Sequence, residues 1–466
     1  MNLVDRLRDT VGASHVLTDG DLSAYQIDWR KRFRGRALAV VRPATTAEVA
    51  GIVHLCAEHA TSIVTQGGNT GLVGGSVPDA TGSQVLLNLG RMNKVRAIDS
   101  ANQTLTVEAG CILQSVQETA AQHGLLFPLS LAAEGSCTIG GNLGTNAGGT
   151  QVLRYGNARE LCLGIEVVTA DGEVWDGLSG LRKDNTGYDL RDLYIGSEGT
   201  LGIITAATLK LYARPAAVST ALAAVPTLAA AVDLLDLARA RLGPALTGFE
   251  VMGRHALDLV RKHCPQLQQP LAPTAWTVLL EQSDAESEAH ARTVFEALLE
   301  TALERGIVGD AAVATSLEQS NAMWHLREAI PLAQADEGPN IKHDIALPVS
   351  AVPAFVAEAD AALLAAFPGS QLVNFGHLGD GNLHYNLQGP PGVEARAFLD
   401  AGEARANRIV YDLVGRHGGS ISAEHGIGVL KRAELAERKS PVALKLMRAV
   451  KAALDPHGRL NPGRVL

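Results

Sequence analysis

From Ala37 the chain alternates short apolar runs with amphipathic stretches, the texture of a mixed α and β domain. Ala37-Leu-Ala-Val-Val41 reads as a strand. Pro43 follows, and Thr45-Thr-Ala-Glu48 forms a capping box that starts a helix near residue 46. Ser62-Ile-Val-Thr65 reads as the next strand. Short strands are expected at 85–89, 94–98 and 104–108, and a helix at 112–123. A hairpin turns at Asp171-Gly172, and a further strand runs to Tyr212. Beyond Arg214-Pro215 the pattern changes. Alanine-rich helical stretches at 227–241, 287–305, 353–366 and 395–415 alternate with strands at 275–282, 343–348, 371–375 and 382–388. That order predicts an α+β domain with an antiparallel sheet. The tail from Asp455 to Gly463 is turn-rich.

Length and charge narrow the picture. A chain of 466 residues exceeds one ordinary core, so two or three domains are expected. The net charge is −9, with no basic run, so no nucleic-acid partner is expected. An anionic ligand must be met by a few local cations. The five cysteines are scattered without a CxxC pair, which points to reduced thiols in a cytoplasm. Asp5, Arg6, Arg8 and Asp9 deny the start the apolar core of a signal peptide. No run approaches the length of a membrane span, so a soluble, cytoplasmic protein is expected.

Most of the excess among the 48 glycines lies before residue 205, in three clusters. The first is Gln66-Gly-Gly-Asn-Thr-Gly-Leu-Val-Gly-Gly-Ser76 and the second runs from Glu134 to Gly149. The third is Ile195-Gly-Ser-Glu-Gly-Thr-Leu-Gly202. Glycine lets backbone N–H groups approach a phosphate closely. No GxGxxG follows a first strand, and no Lys-Ser/Thr ends a cluster, so neither a Rossmann fingerprint nor a P-loop is present. One cluster alone would read as turn glycine. Three between short strands favour a ligand cradle.

Residues 37–214 resemble the FAD-binding domain of the vanillyl-alcohol oxidase/p-cresol methylhydroxylase superfamily. The resemblance implies an α+β fold. A two-subdomain FAD-binding domain is followed by an α+β substrate (cap) domain with an antiparallel sheet. Segments follow as 1–36 N-terminal helical, 37–214 FAD-binding, 215–417 substrate-binding, and 418–466 returning to the flavin domain. It implies FAD contacts from Pro43 and from Gln66, Gly67, Gly68, Asn69, Thr70, Gly71, Gly74, Gly75 and Ser76. Pro128, Gly135, Ser136, Ile139, Gly140, Asn142, Thr145 and Asn146 belong to the second implied segment, Glu198, Gly199, Gly202 and Ile203 to the third, and Asn461 to the tail. Several relatives bind flavin covalently through a His in the first loop. Here that loop has Asn69-Thr70 and no His between His59 and His123, so non-covalent FAD is expected.

The second half carries Asn374-Phe-Gly-His377-Leu-Gly-Asp-Gly-Asn-Leu-His384-Tyr-Asn386 and, later, Ser420-Ile-Ser-Ala-Glu424-His425. Two His and a carboxylate with an open position make a common zinc set. The alternative is a group of polar loop residues satisfied by backbone. The pattern resembles the C-terminal domain of FAD-linked D-2-hydroxy-acid dehydrogenases, those acting on D-2-hydroxyglutarate most closely. That resemblance implies a divalent metal, zinc, on His377, His384 and Glu424. It also implies His425 as base and Asn386 at the substrate.

Hydride loss from C2 needs removal of the hydroxyl proton, which suits His, while a metal lowers the hydroxyl pKa. Arg327 and Lys342 each read alone as solvated surface charges. Both fall where the D-2-hydroxyglutarate enzymes hold substrate carboxylates. Pro331 stands four positions after the Arg, where that group has Thr, and proline offers neither a side-chain donor nor an N–H. His325, His343 and His417 read as surface or supporting residues. The expected partners are a small 2-hydroxy acid and an electron acceptor such as an electron-transfer flavoprotein or quinone-linked carrier. A homodimer is allowed. D-Lactate, D-malate and glycolate are the alternative substrates. The flavin subunit of a glycolate oxidase complex and a non-redox enzyme like alkylglycerone-phosphate synthase are the alternative classes.

Overall fold

The computed structural model describes residues 2–466, which divide into two compact units. The first comprises residues up to Gly148, Gly156–Arg214 and Glu424–Leu466. The second comprises Gly149–Tyr155 and Pro215–Ala423. The composition change at Arg214-Pro215 coincides with the change of unit. The return to the first unit begins at Glu424 rather than at 418.

The first unit contains two main sheets. One is four-stranded, with Ala37–Val41, Gln84–Asn88 and Ile63–Gln66 running parallel and Val16–Leu17 antiparallel at an edge. The helices Leu3–Val11 and Thr46–Glu58 cover it, burying Leu7, Val49 and Ile52. Thr45 caps the second helix through the Glu48 amide at 3.1 Å, and Glu48 reaches back to the Ala44 amide at 2.7 Å. The other sheet is five-stranded and antiparallel, in the order Val95–Asp99, Thr104–Glu108, Ile203–Lys210, Cys162–Val168, Val174–Gly177. The C-terminal tail returns to the first sheet. Leu460 bridges Ile63 in parallel, and the Asn461 amide donates to the Ile63 carbonyl at 2.7 Å.

The second glycine cluster is not loop throughout. Ile139–Thr145 forms a short helix despite Gly140, Gly141 and Gly144. Glycine disfavours helix, but packing decides here. A Cβ on Gly140 would lie 2.7 Å from the Ala109 Cβ, so only glycine lets the helix approach that strand end.

The second unit is built on an eight-stranded sheet whose pairings are all antiparallel. The order is Asp310–Val313, Ala217–Val225, Trp276–Asp284, Leu246–Gly253, Gln371–Gly376, Asn382–Gln388 and Asn340–Ile341, with Asp344–Ala346 also pairing Asn382–Gln388. Helices cover both faces. Leu228–Leu242, Glu288–Glu304, Val352–Ala366 and Ala395–Arg416 bury Leu235, Phe295, Phe355 and Val410 on one side. Arg254–His263, Leu317–Glu328 and Ile330–Glu337 bury Leu257, Leu326 and Ile330 on the other. The stretch Val349–Ala366 corrects the expectation about membrane spans, because it is apolar and long enough by composition. Its alanines supply that length, and Val352, Phe355, Ala359 and Leu363 pack in the core of this unit. All five cysteines are unpaired, and four are buried.

Candidate active site

In the first unit, the three glycine clusters and the tail line one cleft. Its walls include Gly67, Gly68, Asn69, Thr70, Gly71, Gly75 and Ser76 from the first cluster, and Gly140, Asn142 and Thr145 from the second. Glu198, Gly199 and Gly202 come from the third, and Asn461 and His425 from the C-terminal segment. Pro43, Gln66, Gly74, Pro128, Gly135, Ser136, Ile139, Asn146 and Ile203 are not among the residues that line it.

Side chains on and beside the lining shape the loops. Gln66 is buried and donates to the Tyr25 and Ser76 carbonyls at 2.9 and 3.0 Å. Asn69, at φ 55°, donates to the Ala24 and Ile27 carbonyls and accepts from Ser76 Oγ. Its side chain therefore braces the loop against the N-terminal segment. Glu198 and Asn461 also hold positive φ, at 53° and 47°. Left-handed non-glycine residues gathered at one cleft are a mark of a built site.

The cleft fits a polar cofactor. Thr65 Oγ1, Thr138 Oγ1 and Asn461 Oδ1 are buried there without a partner among the described residues. Buried polar atoms are rarely left so without a ligand. A Cβ on Gly68 would lie 2.0 Å from the Ser136 carbonyl, so the first two clusters meet backbone to backbone. At Gly71 and Gly144 a Cβ would meet nothing within 4 Å. Gly144→Ala is therefore expected to leave the fold as stable, or about 0.5–1 kcal/mol more so through helix propensity. Its methyl group would project into the cleft and lower the flavin-to-protein absorbance ratio. Thermal melting and flavin absorbance on one preparation check both halves.

The segment after His425 is fixed tightly. Glu198 accepts from the Ile427 and Gly428 amides at 2.6 and 2.7 Å, and the Val429 amide donates to the Val73 carbonyl at 2.9 Å. Burial pushes the Glu198 carboxyl above its ordinary range, and those two amides and Lys431 oppose it. Glu424 packs on Gly148, where a Cβ would come within 2.7 Å of its Oε1.

In the second unit, the strand Asn382–Gln388 turns Leu383, Tyr385 and Leu387 into the core and His384 and Asn386 to the other face. His384 is opposite Phe375 on one neighbour and Asp344 on the other. The connecting turn carries His377, and its ring lies 5.5 Å from that of His384 at 78°. Gly381 makes the turn possible, since at φ 82° a Cβ would fall 2.1 Å from the Leu347 carbonyl. Two imidazoles at this separation can serve one divalent ion. Lys342 sits between the short strands Asn340–Ile341 and Asp344–Ala346. Asn386 is buried, accepting from the His343 amide at 3.1 Å and donating to Gln334 Oε1 at 2.9 Å.

At two positions burial decides between alternatives that the sequence left open. Arg327 is not a surface charge. It is 6% exposed, lies 4.7 Å over the Phe375 ring and gives its Nε–H to Glu250 at 2.8 Å. His343 is likewise buried, bonded to the Tyr385 carbonyl and Asn407. Pro331 occupies the first turn of Ile330–Glu337, where a missing N–H disturbs no helical bond.

Glu250 escaped the sequence reading. It lies on Leu246–Gly253, and its Oε1 meets His377 Nδ1 at 2.6 Å. Burial alone would raise its carboxyl, but His377 and Arg327 outweigh it and hold the group at about 2. An acid within the apolar stretch Phe249-Glu-Val-Met252 was the only available signal.

Comparison with known proteins gives the family. The chain matches the family described as FAD linked oxidases, C-terminal domain, over residues 214–465, and the FAD binding domain family over residues 37–177. It is 38% identical to a mitochondrial D-2-hydroxyglutarate dehydrogenase of Arabidopsis thaliana, covering 99% of this chain and 81% of that one. It is 40% identical to a D-2-hydroxyglutarate dehydrogenase of Xanthomonas citri pv. viticola, covering 98% and 96%. A putative mitochondrial D-lactate dehydrogenase of Schizosaccharomyces pombe is 36% identical, covering 98% and 89%. Among solved structures, p-cresol methylhydroxylase with substrate bound superposes with a TM-score of 0.76 at 20% identity, covering 99% and 96%. An alkyldihydroxyacetonephosphate synthase gives 0.74 at 18%, covering 99% and 84%. The fold is that of the vanillyl-alcohol oxidase/p-cresol methylhydroxylase superfamily, and the chain belongs to the FAD-linked oxidase family of oxidoreductases.

Proposed function

We propose that this enzyme oxidises a D-2-hydroxy acid, D-2-hydroxyglutarate first, to the 2-oxo acid. The observation that carries the reading is the Arg327–Glu250–His377 chain beside His384. It sets a cation for a carboxylate next to a pair of metal-ligand imidazoles. Relatives named for D-2-hydroxyglutarate support the acid chosen. FAD, held without a covalent bond, supplies the hydride acceptor, and a divalent metal on His377, His384 and Glu424, zinc by its N and O donors, supplies Lewis acidity.

The chain's own residues do the rest. His425 takes the hydroxyl proton. Arg327 and Lys342 meet the carboxylates, and Asn386 faces the substrate from the strand face that carries His384. Electrons pass to a carrier such as an electron-transfer flavoprotein or quinone-linked acceptor. Unpaired, mostly buried thiols support a reducing cytoplasm.

A second reading, D-lactate oxidation, has one specific observation in its favour. Pro331 offers no donor where a distal carboxylate would gain one, and one relative is named for D-lactate. Anaerobic flavin absorbance, titrated with D- and L-2-hydroxy acids with and without a chelator, separates these. Bleaching by D-2-hydroxyglutarate that a chelator abolishes is expected. Silence toward every D-2-hydroxy acid overturns the proposal.

A further inference from the structure

We propose that Glu250 is a positioning residue serving both ends of the substrate site. Its single carboxylate sets the ring tautomer of His377 and the pose of Arg327. The proposal rests on the metal and substrate roles given above.

Glu250 is 1% exposed, and its neighbours Phe249 and Val251 turn into the opposite core. Oε2 takes the Arg327 Nε–H at 2.8 Å, and Oε1 stands 2.6 Å from His377 Nδ1. A carboxylate beside a guanidinium only accepts, so Nδ1 carries the ring proton. The lone pair of the neutral ring is then on Nε2, the form a metal requires. The second imidazole also has a carboxylate near its Nδ1, with His384 Nδ1 4.0 Å from Asp344. At Arg327, the Glu250 contact and the Phe375 ring at 4.7 Å fix the guanidinium plane. The terminal N–H groups then have one orientation in which to meet an anion.

Glutamine at this position would separate the two duties. Arginine has no acceptor, so the amide oxygen must face Arg327 and the NH2 must face His377. Nδ1 then becomes the acceptor, and the ring proton moves to Nε2, where it blocks a metal. Glu250→Gln thus keeps the Arg327 contact and spoils the His377 tautomer.

The test is a zinc titration of FAD-loaded, metal-stripped protein against a chromophoric chelator, followed by kinetics at saturating zinc. E250Q is expected to bind zinc roughly 10- to 100-fold more weakly. Its flavin content should be unchanged, and its KM for D-2-hydroxyglutarate should stay near the wild-type value once zinc is saturating. Wild-type zinc affinity in E250Q overturns the proposal. If E250Q loses its flavin or unfolds, Glu250→Asp decides instead. A carboxylate one methylene shorter cannot span both contacts, so its zinc affinity should fall, and an unchanged affinity overturns the proposal. Wild-type protein that binds no zinc is a separate failure, since it removes the metal set itself.

Discussion

Replacing His425 with Gln is expected to slow flavin reduction by a D-2-hydroxy acid roughly 100- to 10,000-fold, the usual worth of a positioned general base. His425 lines the same cleft as the glycine clusters. Its chain neighbours are immobilised by Glu198 through the Ile427 and Gly428 amides and by the Val73 carbonyl. The ring is therefore presented from a fixed backbone, not from a swinging loop. Glutamine has similar reach but cannot accept a proton near neutral pH. The glycine clusters and the buried polar groups of Thr65, Thr138 and Asn461 in the same cleft stay in place in this variant. H425Q should therefore hold FAD as the wild type does. Anaerobic stopped-flow absorbance separates the steps. Flavin reduction by substrate should slow, while reoxidation of dithionite-reduced enzyme by an artificial acceptor should not. Reduction at the wild-type rate would remove His425 from the proton step.

How far the sequence reached depended on whether local pattern or tertiary packing decided each element. The strand at 382–388 was legible because its apolar and polar residues alternate, and it falls where expected. Ala217–Val225 was not, since its alanines carry no strand signal. It is a strand because it lies between Asp310–Val313 and Trp276–Asp284, with the stretch from Thr220 to Ala223 buried. The helix at Ile139–Thr145 was hidden by the glycines that let it touch Ala109. Site residues followed the same division. The glycine clusters announced themselves by composition, and His377 and His384 by spacing. Glu250 had no motif, because its meaning comes from two partners, 77 and 127 residues away. Arg327 looked like a surface charge for the same reason, since only its partner explains how a guanidinium can be buried.

That pairing sets the second large effect. Arg327→Met is expected to raise KM for D-2-hydroxyglutarate and also to destabilise the protein. Among the described residues, Glu250 is the only hydrogen-bond partner of this guanidinium. Removing it leaves a buried carboxylate with His377 alone, and breaking a buried pair from one side costs roughly 3–5 kcal/mol. Methionine fills a similar volume against Phe375, so little of that loss should come from a cavity. The kinetic loss should depend on the substrate. Truncating one partner of a buried charge contact costs roughly 2–4 kcal/mol, or about 30- to 1000-fold in kcat/KM, for a dicarboxylate. An acid without the second carboxylate, such as D-lactate, has no such contact to lose and should be affected far less. Arg327→Lys keeps the charge but not the planar fork, so it should recover part of the stability and little of the discrimination. Calorimetric melting together with kcat/KM for both acids tests this. An equal loss toward both would assign Arg327 to holding Glu250 and His377 in place rather than to choosing the acid.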